Sequence, residues 1–125
     1  MVAEKSQLPR LGHIVEAIGH IRTVTAEDNF AAFEQDWRTR WAVERAFEII
    51  SEASRHLSDD LKSRYPDIPW QRIAAIGNRL RHEYQEILPD ILWKIAREDL
   101  SQLEKICRDE LAREHAQNQD RERER

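Results

Sequence analysis

The chain is predicted to be all-α, on three observations: apolar residues recur at helical spacing along most of its length, 35% of its residues are charged, and only 3 of 125 are glycine. The last two point away from β-rich architectures, and 40% hydrophobic residues suffice for one buried core. The length suits a single domain. One cysteine, Cys107, excludes an internal disulfide. The N-terminal residues lack the apolar run of a signal peptide, and no stretch is long enough to span a bilayer, so a cytoplasmic location is expected. The net charge of -4 argues against a long-range electrostatic grip on nucleic acid, so any RNA contact must come from a local basic cluster.

Each element has its own signal. Leu11, Ile14, Val15, Ile18 and Ile21 share one arc of a helical wheel and predict a first helix from Leu8 to Val24, with Pro9 tolerable in its first turn. Thr25 with Asp28 resembles a capping box, and a long helical pattern then runs toward Leu57. Its apolar stripe changes side: Phe30, Phe33, Trp37 and Trp41 line one face, whereas Val43, Ala46, Phe47, Ile50, Ala53 and Leu57 lie roughly opposite. Such a helix needs two apolar partners, one of them a candidate second subunit. Ser58 can cap a short turn, Pro66 and Pro69 break it, and a new helix starts near Trp70. Gly77 interrupts that helix at about 1 kcal/mol relative to alanine, which implies close packing, a kink or a break. Pro89 with Asp90 restarts the chain, and Ile91, Leu92, Ile95, Leu100, Leu103, Ile106 and Leu111 build a last amphipathic segment. Asp99 falls inside its apolar arc and is expected to cap a second helix at a hinge, with Gln102 three residues on. Residues 1–113 thus form the helical domain, and residues 114–125, without apolar periodicity, a charged and disordered tail.

The densest chemistry lies in Asn78-Arg79-Leu80-Arg81-His82-Glu83-Tyr84. Asn78, Arg79 and His82 are spaced to project from one side of a helix. RNA can be cut without a metal if one group takes the proton from a ribose 2′-hydroxyl, another protonates the leaving 5′-oxygen, and a fixed cation stabilises the phosphorane. Histidine suits both proton roles near neutral pH, and arginine the third. A twofold dimer would supply the second histidine, bringing His82 and its symmetry mate to one cleft. The plainer alternative is a solvated helix face on which Arg79 and Arg81 pair with Glu83 and Glu86.

Other constellations are weaker. His13, Glu16 and His20 share one side of the first helix, but that side faces away from the apolar arc and has no cysteine ligand nearby, so no metal site is expected. Trp37, Trp41, Trp70 and Trp93 could stack bases, although core or dimer packing suits them better. Glu44, Glu48 and Glu52, with Arg45 and Arg55 nearby, read as an exposed charged ridge.

Three segments together, Ala42-Val43-Glu44-Arg45-Ala46-Phe47-Glu48-Ile49-Ile50-Ser51-Glu52-Ala53, Ile68-Pro69-Trp70 and Asn78 to Tyr84, resemble the HepT-like family of the HEPN superfamily over Leu8 to Arg113. The resemblance implies a homodimeric bundle of four to six helices. It also implies a metal-independent, cofactor-free ribonuclease toxin paired with a minimal nucleotidyltransferase antitoxin. The family motif is arginine, four residues, histidine, one residue, tyrosine. His82-Glu83-Tyr84 fits its second half and Asn78 the polar residue after the arginine, whose own position is occupied by Gly77. The resemblance makes His82 the acid/base. It leaves Arg79, Arg81 and Arg72 as candidate phosphate ligands, with Arg79 preferred because it lies about 60° from His82 on the helical wheel. Tyr84 becomes the hydroxyl that the partner adenylates (AMPylation), a role also open to a catalytically silent partner of the nucleotidyltransferase.

Overall fold

The computed structural model of the chain describes residues 7–27, 29–82 and 89–124. Every regular element among them is helical: α1 (Gln7–Thr25), α2 (Phe30–Gln35), α3 (Trp37–Arg55), α4 (Asp59–Ser63), α5 (Trp70–His82), α6 (Pro89–Lys94), a π-helical turn (Ile95–Asp99) and α7 (Leu100–Arg123). The expected all-α bundle is present. α1 lies against α3 and α7, and α3 against α5. Their apolar rows meet in one core, with Leu11, Ile14, Ile18 and Ile21 of α1, Val43, Phe47 and Ile50 of α3, and Leu100, Leu103 and Cys107 of α7 all buried. None of the described helices is long and apolar enough to cross a membrane.

The sequence pattern between residues 25 and 57 is resolved differently from expectation. Thr25 is the buried last residue of α1, its hydroxyl donating to the Ile21 carbonyl at 2.7 Å, and so caps nothing, while Asp28 lies outside the described residues. Asn29 caps α2 instead, its side-chain oxygen accepting from the Ala32 N–H at 2.9 Å. The long helix breaks at Asp36, whose carboxylate accepts from the N–H groups of Arg38 and Thr39 and starts α3. This break separates Phe30 and Phe33 from the rest of the stripe, but Trp37 and Trp41 remain on α3, on the face opposite its buried row of Val43, Ala46, Phe47, Ile50 and Ala53. Phe33 turns inward onto Trp93 of α6, with ring centroids 5.1 Å apart. Ser58 caps α4 as expected, and α5 begins at Trp70.

At the other end of the chain the π turn replaces the expected hinge. Its wider hydrogen-bonding loop accommodates an extra residue, so Ala96 and Leu100 both face the core and Asp99 is turned into solvent. Asp99 makes no side-chain capping bond. α7 then continues as helix to Arg123, through the segment expected to be a disordered tail, with residues 115–124 exposed.

A buried polar network ties the connector before α5 to α7. The Glu110 carboxylate, 2% exposed, accepts from the Tyr65 hydroxyl and pairs with Arg64 at 3.1 Å. Gln7 does the same for the start of α4, its side-chain oxygen accepting from the Ser58 N–H at 2.8 Å. A buried carboxylate is tolerated only with such partners. Donation to Glu110 holds the Tyr65 hydroxyl above its ordinary pKa of 10.0, and burial, with Glu110 and Glu104 nearby, pushes the Cys107 thiol from 9.0 up to about 12. Both groups hold their protons more tightly folded than unfolded, so stability is full below the unfolded values and is lost as pH rises through the folded ones. The denaturation midpoint is therefore expected to fall between pH 9 and pH 12, less steeply in Cys107→Ala. A pH-independent midpoint over that range, measured by circular dichroism, would contradict the network.

Candidate functional site

The site is built on the crossing of α3 and α5. Ser51 of α3 donates its hydroxyl to the Ala74 carbonyl at 2.8 Å and accepts from the Gly77 N–H at 3.1 Å, and Arg55 donates to the same Ala74 carbonyl at 2.8 Å. Because Ser51 meets Gly77 while the later Arg55 meets Ala74, α5 runs back along α3. Gly77 is buried in this crossing, and a Cβ placed there would come within 2.6 Å of Ser51 Oγ and 2.9 Å of Ser51 Cβ. Of the three explanations open for a mid-helix glycine, close packing is therefore the operative one.

With Gly77 and Leu80 turned inward, helical periodicity places Asn78, Arg79, Arg81 and His82 outward, and all four are exposed. Asn78 accepts from Arg81 Nη2 at 2.5 Å, which holds that guanidinium over the face. Across the crossing, Glu52 is kept ionised below the usual carboxylate range, chiefly by the hydrogen bond to His56 at 3.0 Å and in part by the charges of Arg55 and Arg81. The basic side chains of α5 occupy its last turn, where the negative end of the helix macrodipole favours cations. An outward imidazole beside two guanidiniums is an arrangement able to take an RNA phosphate.

Other expected site residues are placed elsewhere or not at all. Arg72 is exposed at the opposite end of α5, about 15 Å from His82 along the helix axis. It borders a cavity of about 360 Å³ floored by Phe47, Ile50, Ile73 and Ile76. Tyr84, Glu83 and Glu86 lie outside the described residues. His13, Glu16 and His20 are exposed on α1, and among the described residues no group of three or more His, Cys, Asp or Glu side chains could hold a metal. Of the four tryptophans expected to pack in the core or a dimer seam, Trp70 and Trp93 pack against the core, and Trp37 and Trp41 are 51% and 63% exposed on the single chain. Of the α3 glutamates, Glu48 pairs with Arg45 at 3.2 Å and Glu52 with His56, whereas Glu44 is half-buried and its carboxyl is raised by that burial. The supporting role of Ser51 and Arg55 was not foreseen. A glycine and a serine in two adjacent helical segments was the available signal, but small residues on two helices mark a crossing only once the pairing is known.

Residues 14–110 match the profile of a family described as ribonuclease HepT-like. The chain belongs to the HepT-like ribonuclease family. A probable ribonuclease HepT of Thermococcus cleftensis is 39% identical over 100 residues, covering 80% of this chain and 91% of the relative. A candidate RNase of Methanocaldococcus jannaschii is 35% identical over 92 residues, covering 74% of this chain and 84% of the relative. One from Caldanaerobacter subterraneus, at 28% identity over 110 residues, covers 88% and 98%. No solved structure matches the chain.

In this HepT-like chain Gly77, which the resemblance sets against the motif arginine, is thus at a helix crossing. Alanine is the better helix former by about 1 kcal/mol, but overpacking against Ser51 costs about 1–3 kcal/mol. Gly77→Ala is expected to lower the urea midpoint of unfolding, and Gly77→Arg to lower it further. A raised midpoint for Gly77→Ala would show that the crossing is looser than this.

Proposed function

We infer that the chain is the ribonuclease toxin of a cytoplasmic toxin–antitoxin pair, cutting RNA without a metal as a homodimer in which two copies of His82 share one cleft. The observation that supports this most is His82, exposed on the last turn of α5 beside Arg79 and Arg81, in a chain of the HepT-like ribonuclease family. One imidazole takes the proton of the ribose 2′-hydroxyl, and the freed oxygen attacks phosphorus. The other imidazole gives a proton to the departing 5′-oxygen, so the O2′–P bond forms as the P–O5′ bond breaks, leaving a cyclic phosphate and a 5′-hydroxyl. Arg79 stabilises the phosphorane, Arg81 is set by Asn78 to hold a neighbouring phosphate, and Arg72 meets RNA only beyond the scissile linkage.

Purified protein is expected to cut RNA in excess chelator, and His82→Ala to slow cleavage by roughly a hundredfold or more. Undiminished cleavage in that variant would remove His82 from the mechanism.

The buried Gly77 favours a second reading. With no cation at the motif position, the chain would be a catalytically silent partner of a nucleotidyltransferase, with Tyr84 as the adenylate acceptor or an interface residue. Coexpression with that partner is then expected to add adenylate mass to the intact chain and to leave Tyr84→Phe unmodified; failure of the two proteins to co-purify would count against it.

A further inference from the structure

Trp37 and Trp41 are the most exposed large apolar side chains among the described residues, at 51% and 63%. They stand one helical turn apart on α3, ring against ring at 4.9 Å between centroids with a 66° tilt, and the guanidinium of Arg38 lies 5.4 Å from the centre of the Trp37 ring. The pair is therefore a rigid aromatic corner on a capped helix and not a mobile loop. The segment from Asp36 to Arg45 carries Arg38, Arg40 and Arg45 against Asp36 and Glu44, one net positive charge in a chain of net charge -4. Arg40 is engaged with the Glu34 carbonyl and Arg45 with Glu48, but Arg45 stays 71% exposed, and such a surface pair is weak enough to exchange for phosphate. The positive end of the α3 macrodipole is here, capped by the Asp36 carboxylate.

We propose that Trp37 and Trp41 form a base-stacking platform for single-stranded RNA, with the neighbouring arginines on its phosphates. Interleaved aromatic and cationic side chains are what an unpaired strand requires, because every base offers a π-face and every linkage a charge. Position supports this occupant. Trp37, Trp41, Glu48 and Glu52 fall on one face of α3, at i, i+4 and i, i+7 spacings, and Glu52 feels the charge of Arg81. Because α5 runs back along α3, its His82 end points toward the tryptophans. Measured from the Ser51–Gly77 contact, Trp41 is about 15 Å along α3 and His82 about 7.5 Å along α5 in the same sense. The offset matches about two nucleotides of stacked strand. A second copy of the chain is the less suitable occupant. Two half-exposed indoles offer on the order of 250 Å², against about 800 Å² per partner in a stable interface.

This inference rests on the ribonuclease reading for its substrate, and the test separates the two. Full-length protein is titrated with unstructured oligoadenylate and with the same oligoadenylate paired in a duplex, following indole fluorescence and anisotropy of the labelled strand. Single strands are expected to quench the indoles, and Trp37→Leu/Trp41→Leu to bind them roughly tenfold or more weakly. Trp37→Phe/Trp41→Phe should recover most of that loss. An unchanged Kd in the leucine variant would overturn the proposal, as would equal binding of duplex. So would sedimentation of the leucine variant as a smaller species than the wild type, since the rings would then belong to a subunit seam. Weakened single-strand binding in the leucine variant, alongside a wild-type protein that binds the strand but cuts nothing, would sustain the platform while removing the nuclease reading.

Discussion

The close approach of α3 and α5 at Ser51 and Gly77 is the contact on which the arrangement of the site depends. A helix with no side chain at one position can bring its backbone against the hydroxyl of another, and the shared bonds to Ala74 and Gly77 fix the register between them. Once Gly77 and Leu80 face inward, the period of the helix leaves Asn78, Arg79, Arg81 and His82 no direction but outward. The same contact excludes a long side chain at position 77. Glycine at position 77 is thus a packing requirement of this chain.

The rest of the bundle holds that crossing in place. Glu110, Tyr65 and Arg64 pin the connector that feeds α5, and Gln7 pins the start of α4, so polar bonds secure the turns while apolar rows of α1, α3 and α7 fill the core. The π turn solves a similar problem. It carries the apolar face past Asp99 without burying a carboxylate. The rigid parts are built for position, and the exposed ones carry the charge.

Charge is distributed to match. The chain is acidic overall, yet cations gather at the C-terminal turn of α5 and the N-terminal turns of α3. The antiparallel course of these helices directs both groups toward the same end of the bundle. A local basic surface of this kind reconciles an acidic protein with a polyanionic substrate, since affinity is set by nearby phosphate contacts and not by net charge.

By itself, the sequence determined the helical class, the apolar face of each long helix, the starts at Ser58, Trp70 and Pro89, and the outward row of Asn78, Arg79 and His82. These follow from local periodicity and from capping or proline chemistry, which neighbouring residues decide among themselves. Tertiary structure alone decided what Gly77 packs against, that Asp99 leaves the core through a π turn, and that Trp37 and Trp41 stay uncovered while Trp70 and Trp93 do not. Each of these depends on which helix lies alongside. A one-dimensional pattern specifies which face of a helix is apolar, and only the packed chain specifies what, if anything, covers it.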